Sequence, residues 1–301
     1  MPAIIKPESS SHWYTRDGLP CYEVPCKSKP GEMRATSLAD ARKLDLLPSV
    51  TSILSIKAKP GLEAWKTEQV LLASQTLTRL PDETDATWIK RVIDDAYEYS
   101  RQARSLGSAL HSAVDLWVTS KGQTKCDTLD GFDVAAMLNA YIIWHKSNVG
   151  RVVASERAFA GTYYGGRVDL EYRPISNPQS YVVTDFKTKA TKPKQKLTPY
   201  SEWGMQLAAY AYGLQEFSSN PIPIGCLQLQ NIVLSTTEPG RIEVIDWTDE
   251  RAELYQDFQA CKRLWCREKK YWPAKRKEIS HDSGSEKTKR QAAQKPVAEV
   301  A

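Results

Sequence analysis

The sequence predicts an α/β protein in which a mixed central sheet, flanked by helices, follows an N-terminal helical region. Two observations lead to this prediction. Before Gly150, apolar residues recur at spacings of three and four, the pattern of amphipathic helices. After Gly150, short apolar runs alternate with helical stretches in the order three strands, helix, two strands, helix, which is typical of a mixed sheet.

The N-terminal half is predicted to be irregular at first and helical afterwards. Residues 1–48 are rich in proline, serine and charge, so we expect them to be irregular. Residues 49–150 form the predicted helical region, whose first apolar run ends before Pro60-Gly61. The predicted helices span 62–79, 88–117 and 132–147. We expect a break in the second of them near Gly107, since glycine is a poor helix former.

The C-terminal half contains the predicted sheet, within residues 151–272. Its strands are expected at 152–160, 167–173, 181–184, 224–234 and 242–245. Gly161 and Gly165-Gly166 indicate a hairpin turn between the first two strands. The predicted helices are 199–217 and 250–271. Residues 273–301 have few large apolar side chains and several basic ones, which predicts a disordered basic tail.

Composition excludes several classes of protein. The chain of 301 residues is 41% hydrophobic and 26% charged, as expected for a globular protein. No run approaches the ~18 uninterrupted apolar residues of a membrane helix, and we predict no membrane association. The N-terminus has no apolar stretch of a secretory signal, so we predict a cytoplasmic protein, in a bacterial host or a phage-infected cell. The net charge of +5 permits a polyanionic partner without requiring one.

The six cysteines are too few for a disulfide scaffold of this size. Cys21 and Cys26, and likewise Cys261 and Cys266, are separated by four residues. Together they offer four ligands for a metal or an iron–sulfur cluster. The spacing is wider than the two residues of most such sites, so free thiols are the favoured interpretation.

Two acids close to predicted strands are the candidates for chemistry. Asp169 lies between Val168 and Leu170, and Asp185 follows an apolar run sixteen residues later. A buried acid is costly unless it is paired or bound to a metal. Two such acids on neighbouring strands would bring oxygen ligands together, as hard cations such as Mg²⁺ or Mn²⁺ require.

Lys187 lies two residues beyond Asp185, on the same face if this segment is a strand. A cation there can orient the attacking water and stabilise the negative charge of a pentacovalent phosphate, while the metal lowers the pKa of that water. A structural salt bridge between Asp185 and Lys187 is the alternative interpretation. His111 on a helix, and Gln206 and Tyr210 one helical turn apart, are each typical of ordinary packing when taken singly.

Taken in order, five motifs resemble the RecB-like branch of the PD-(D/E)XK nuclease superfamily. That branch includes the RecB and AddB nuclease domains, Cas4, the mitochondrial genome-maintenance exonuclease and many phage exonucleases. The motifs are Gly107 to His111, Glu156 on the first strand, Gly166 to Asp169, Asp185 to Lys187, and Gln206 to Tyr210. The segment Leu47-Pro48-Ser49-Val50-Thr51 also resembles phage and mitochondrial members, so the resemblance covers residues 47–215.

The resemblance implies a restriction-endonuclease-like core and a metal-dependent exonuclease of phage-type recombination or DNA end processing. The implied Mg²⁺ or Mn²⁺ ligands are His111, Asp169, Asp185 and the backbone carbonyl of Phe186. Lys187 is the implied catalytic lysine, and Gln206 and Tyr210 position the site or hold the DNA strand. Glu156 is expected to support the site, and a structural role for it is equally plausible.

The implied substrate is DNA, either single-stranded or with duplex ends, and a single-strand annealing or binding protein is a candidate partner. The expected DNA contacts come from a loop with five lysines in ten residues, which are Lys187, Lys189, Lys192, Lys194 and Lys196. Trp65, Trp88 and Tyr164 can stack on unpaired bases, with core packing as the alternative. Three other functions stay open: a Cas4-like iron–sulfur nuclease, a restriction-type endonuclease, and a non-catalytic DNA-binding module.

Overall fold

The computed structural model describes residues 12–120, 128–129 and 132–273. The helices are α1 (Leu38–Leu44), α2 (Val50–Leu54), α3 (Pro60–Thr76), α4 (Asp85–Ala96), α5 (Glu98–Thr119), α6 (Val134–Asn148), α7 (Ser201–Gln215) and α8 (Arg251–Lys269). The strands are β1 (Trp13–Tyr14), β2 (Glu23–Pro25), β3 (Met33–Ala35), β4 (Leu47–Pro48), β5 (Thr128–Leu129), β6 (Phe132–Asp133), β7 (Val149–Ala160), β8 (Gly165–Pro174), β9 (Tyr181–Lys189), β10 (Leu227–Ser235) and β11 (Ile242–Asp246). Apart from Pro273, the predicted tail 273–301 lies outside the described residues. Among the helices that are described, none has the length and apolar composition to cross a membrane.

The five longest strands form one mixed sheet in the order β11-β10-β9-β8-β7. β9 and β10 are parallel, and the other neighbours are antiparallel. Helix α7 provides the crossover between β9 and β10, because parallel neighbours need a long connection. The prediction of a mixed sheet flanked by helices, in a restriction-endonuclease-like arrangement, is confirmed.

Each face of the sheet carries its own apolar core. On one face, Leu207 of α7 and Phe258 of α8 pack against strand residues such as Val183. On the other face, Leu110 of α5 and Tyr141 of α6 complete a second core. The sheet is therefore the middle of three layers. Side chains on one face of it meet α7 and α8, and side chains on the other face meet α5 and α6.

Helices α3 and α4 form a small unit with an apolar cluster of their own. Ala73 of α3 packs with Val92 and Ala96 of α4, and these residues belong to neither sheet core. The spacing of residues 62, 65, 69 and 72 places Leu62 and Leu72 near one face of α3, and they are 42% and 48% exposed. This face of α3 is consequently turned towards solvent.

Two expectations about the N-terminal half are wrong. The predicted break near Gly107 is absent, because α5 continues through it and the helices divide at Tyr97. A Cβ at Gly107 would lie 3.6 Å from Thr188 Oγ1, so the glycine leaves room beside β9 instead of ending the helix. The segment 1–48 is also not irregular where it is described, since it contains four short strands and a helix capped by Ser37. The proposed boundaries after 48, 150 and 272 stay predictions.

Candidate active site

The two acids of the predicted site lie side by side on neighbouring strands. Leu170 of β8 is opposite Thr184 of β9, and Asp169 and Asp185 occupy the next position along this antiparallel register. The backbone N–H of Phe186 donates to Asp169 Oδ2 over 2.6 Å. Both acids are buried, so their carboxylates depend on partners within the protein.

Asp185 is the centre of a hydrogen-bond network. Its Oδ1 accepts from Gln206 Nε2 over 2.7 Å, and its Oδ2 lies 2.7 Å from Lys187 Nζ. Gln206 Nε2 also donates to the Tyr210 hydroxyl over 2.8 Å, which confirms that these two residues face the same way on α7. Lys187 Nζ donates to Gln206 Oε1 over 3.1 Å. The ammonium group is thus held at a fixed place beside the carboxylate.

Burial raises the pKa of Asp185 to about 6, although the ammonium of Lys187 opposes the shift. The negative charge of Asp169 adds to the rise. Two neighbouring buried carboxylates repel one another, and a positive ion between or beside them removes that cost. A cation bound at this place would therefore stabilise the two ionised acids.

His111 of α5 faces these acids from the other side of the site. Its Nδ1 is 3.5 Å from Asp169 Oδ1, and its Nε2 is 3.2 Å from the carbonyl oxygen of Phe186. Burial alone would lower the pKa of His111, but the carboxylates of Asp169 and Asp185 outweigh it and raise the pKa to about 9. Without a metal ion, the imidazole therefore holds a proton that neutralises part of the acidic charge.

Glu156 lies close enough to His111 and Asp169 to share a metal ion with them, whereas the sequence predicted only a supporting role for it. One ligand atom from each of His111, Glu156 and Asp169 lies within 4.8 Å of the others. The backbone of Glu156 has φ 49°, a left-handed conformation that is strained for a non-glycine residue. Arg167 Nε holds the carboxylate from outside, 2.8 Å from Glu156 Oε2. Carboxylate oxygens and one imidazole suit a hard divalent cation, so the residues present fit the implied metal.

Asn231 is a site residue that the sequence reasoning missed. It stands opposite Asp185 in the parallel pair of β9 and β10, and its Nδ2 donates to Asp185 Oδ2 over 2.8 Å. Its Oδ1 accepts from Trp247 Nε1 over 2.8 Å, so both ends of the amide are satisfied. An asparagine inside an apolar strand was the one signal that would have pointed to it.

Two clefts meet at Lys187. We call the first the histidine cleft; its cavity of about 620 Å³ is lined by residues that include His111, Asp115, Glu156, Arg167, Phe186 and Lys187. We call the second the lysine cleft; its cavity of about 670 Å³ is lined by residues that include Lys57, Lys59, Lys66, Lys187, Glu202 and Gln206. Lys187 is thus accessible from both sides, and two of the metal-ligand candidates, His111 and Glu156, line the first of the clefts.

The model of the PD-(D/E)XK nuclease superfamily matches residues 85–279, which is more than half of the chain. The chain belongs to the PD-(D/E)XK nuclease superfamily. Nucleases of this superfamily typically use divalent metal ions, and the matched span contains the whole group of acids, lysine and histidine described above. The resemblance to the RecB-like branch stays a prediction.

Comparison with solved structures adds little to the superfamily assignment. The crystal structure of SSO0001 is similar over 66% of this chain and 85% of that chain, with 14% sequence identity and a TM-score of 0.25. A likeness at this level carries no argument about function. No curated protein matches the chain.

The predicted DNA-binding lysines divide into two groups within this nuclease fold. Lys189 is tied to the protein, since its Nζ donates to the carbonyl oxygen of Thr198 over 2.8 Å. The side chains of Lys192, Lys194 and Lys196 are exposed, but these residues line neither cleft. Their contact with DNA stays a prediction.

The three aromatic residues considered for base stacking have different environments. Tyr164 is buried and donates to the carbonyl oxygen of Ala209 over 3.1 Å, so a stacking role for it is wrong. Trp88 packs against the apolar cluster of α3 and α4, with the Arg91 guanidinium 5.3 Å from its ring centroid. Trp65 instead lines a cavity next to the lysine cleft.

The four cysteines considered as cluster ligands are free thiols. Cys266 is buried in one sheet core, and Cys21 and Cys261 pack partly against the same core. Within the described ranges, the only group of potential ligands close enough to hold a metal is that of His111, Glu156 and Asp169. The positions of the cysteines therefore give no support to the iron–sulfur alternative.

Proposed function

We propose that this protein is a Mg²⁺- or Mn²⁺-dependent deoxyribonuclease that acts at DNA ends, as an exonuclease. One observation carries the proposal: a lysine ammonium, fixed 2.7 Å from a buried carboxylate, stands at the junction of two clefts. One of these clefts is lined by two of the metal-ligand candidates, His111 and Glu156, and the other is rich in lysine. A metal site and a cation side by side can together promote hydrolysis of a phosphodiester.

The residues have separate roles in this proposal. His111, Asp169 and Glu156, whose ligand atoms lie within 4.8 Å of one another, would hold the ion, and the neighbouring Asp185 and the carbonyl oxygen of Phe186 are the further ligands of the proposal. The ion, when bound, lowers the pKa of water and screens the charge of the phosphate.

Lys187 is the group that this chain itself supplies to the reacting phosphate. The ammonium is oriented by Asp185 and Gln206, so it can hold the attacking water and stabilise the charge that develops on the phosphate oxygens. Gln206 is held in turn by the Tyr210 hydroxyl. Both act as positioning residues for the lysine and the acid.

A requirement for DNA ends rests on the helical region. Residues at the start of α3 line the lysine cleft and residues of α5 line the histidine cleft, so the chain from α3 to α5 passes from one cleft to the other. We propose that this region limits access to continuous duplex and favours ends or single strands. A role in recombination or end processing in a phage-infected or bacterial cytoplasm, with a single-strand annealing or binding protein as partner, completes the proposal.

The deciding experiment is digestion of end-labelled linear DNA and of a covalently closed circle, with Mg²⁺ or Mn²⁺. We expect the linear DNA to be cut and the circle to resist. Lys187→Ala should lower the rate by at least about 100-fold while DNA binding is retained, because one stabilising charge of the transition state is lost. Lys146→Ala is the matched control, because Lys146 is exposed on α6 and lines neither cleft.

The other outcomes separate the alternatives. Equal cutting of the circle would contradict the end requirement and favour a restriction-type endonuclease. DNA binding without cutting under any metal would favour a non-catalytic module. A brown protein that absorbs near ~400 nm would favour the iron–sulfur nuclease.

A further inference from the structure

A third cavity, of about 640 Å³, adjoins the lysine cleft and shares no lining residue with the histidine cleft. We call it the aromatic cavity, because Trp65 of α3 and Tyr200 at the start of α7 line it. Lys59, Leu62 and Glu202 line both this cavity and the lysine cleft, so the two are continuous. Neither aromatic residue has a role in the chemistry proposed above.

The apolar walls of the aromatic cavity are exposed to solvent. Tyr200 is 53% exposed and Leu62 is 42% exposed. Large apolar groups at the surface of a cavity mark a binding site when charged residues surround them. A cavity of this size is within the range of about 300–1,000 Å³ that small-ligand pockets occupy, which suits one nucleotide.

The ring of Tyr200 is held in place by its neighbours. It packs edge-on against Trp203, with ring centroids 5.3 Å apart. Lys189 Nζ lies 4.2 Å from the centroid of the Tyr200 ring and is itself fixed by its hydrogen bond to Thr198. A ring that is already ordered loses little entropy when a base stacks on it.

The charge of the adjoining cleft suits a polyanion. Its charged lining consists of four lysines and two glutamates, which are Lys57, Lys59, Lys66, Lys187, Glu63 and Glu202. Glu202 is paired with Lys59 over 2.9 Å, and Glu63 with Lys66 over 2.8 Å. Lys57 is 3.9 Å from Glu202, which it shares with Lys59, so positive charge remains in excess. Phosphates of a strand that leaves Lys187 would meet this excess.

We infer that the aromatic cavity binds an unpaired nucleobase of the same DNA strand whose phosphates follow the lysine cleft from Lys187. The inference rests on the proposed function and names the substrate class of that site as single-stranded. An aromatic ring stacks on a free base face, and in a duplex those faces are covered by the neighbouring base pairs. Trp65 and Tyr200 are the stacking residues, and stacking on their rings does not depend on which base is present.

The test compares two fluorescent strands of equal length, an oligothymidylate and its abasic counterpart. Binding is measured by anisotropy in EDTA, so that no metal-dependent cutting takes place. We expect the intact protein to bind the strand with bases about tenfold more tightly, the effect of one stacking contact. Trp65→Ala and Tyr200→Ala should each remove most of this preference and leave the affinity for the abasic strand unchanged.

Two controls separate stacking from structure. Tyr200→Phe keeps the ring and should keep the preference, and Trp272→Ala removes an exposed aromatic residue that does not line the cavity. Thermal unfolding of each variant shows whether it is folded. An equal loss of affinity for both strands, or an unchanged preference in both alanine variants, would overturn the inference.

Failure of this inference is distinguishable from failure of the proposed function. If linear DNA is cut but the alanine variants keep the base preference, the nuclease proposal stands and the stacking site does not exist. If nothing is cut but the preference disappears in the variants, the strand-binding site stands without the activity.

Discussion

The histidine cleft and the lysine cleft share Lys187 but are built in different ways. Beside the histidine cleft, Asp169 and Asp185 are buried in the middle of β8 and β9, and every partner of theirs comes from the sheet or from helices packed on it. In the lysine cleft, most of the charges lie on partly exposed side chains of α3 and of the segment before it, and Glu202 of α7 pairs with them. Reacting groups need fixed positions, whereas charges that only attract a strand do not.

The largest difference in cutting rate should appear between a substitution of Asp169, beside the histidine cleft, and a substitution of Lys57 in the lysine cleft. Asp169→Asn removes a charge that faces His111 and that the Phe186 N–H stabilises, so we expect cutting to fall by about 1,000-fold or more. Lys57→Ala should cost less than about tenfold, mainly as weaker DNA binding. Single-turnover digestion at saturating and at low DNA measures both effects, and a similar loss in both variants at saturating DNA would break the distinction.

Metal binding should stabilise only a protein with an intact histidine cleft. A ligand that binds the folded state at 100 times its Kd adds about 2.7 kcal/mol to the free energy of unfolding. We expect Mn²⁺ to raise the Tm of the unchanged protein and of Lys57→Ala. The Tm of Asp169→Asn should not respond, and chelation should reverse the rise in the other two.

Two glycines test how tightly the region around the network is packed. A Cβ at Gly166 would lie 2.7 Å from ring atoms of Phe159 and Tyr210, so Gly166→Ala should destabilise by about 1–3 kcal/mol through overpacking. Gly107→Ala is the matched control within α5. Its Cβ makes only an ordinary contact, and alanine should stabilise the helix by about 1 kcal/mol. Urea unfolding measures the stability of both variants. Destabilisation by Gly107→Ala would show that the wall of the histidine cleft has no room for a methyl group at this position.

The pH dependence of stability should identify His111 in the metal-free protein. The carboxylates raise the pKa of His111 to about 9 in the folded state against a usual value of 6.5, although burial opposes them. A raised pKa stabilises the folded state fully below pH 6.5, and this contribution is lost as the pH rises through 9. His111→Gln should flatten the dependence between these values, as measured by thermal unfolding in EDTA. An unchanged pH profile would show that a group other than His111 titrates in this range.

The residues of the site differ in whether their positions and roles could be predicted from the sequence. Asp169, Asp185 and Lys187 could be named because short spacings place them on neighbouring strands, and Gln206 and Tyr210 because the order of the motifs resembles a nuclease family. Asn231 and Tyr200 could not be named, because Asn231 acquires its role from Asp185 and Tyr200 shares its cavity with Trp65, and both of these partners are far away along the chain. The position of Tyr164 in the core likewise depends on a helix that begins 37 residues later.

The alternation of strands and helices, the superfamily motifs and the residue types at the centre of the site could all be predicted from the amino-acid sequence. Periodic patterns and local spacings carry that information, since they act within one element. Only the tertiary structure decided that Glu156 joins His111 and Asp169, that α5 runs unbroken past Gly107, and that two clefts meet at Lys187. Strand register and helix packing set those distances, and both arise from burial of side chains contributed by the whole chain.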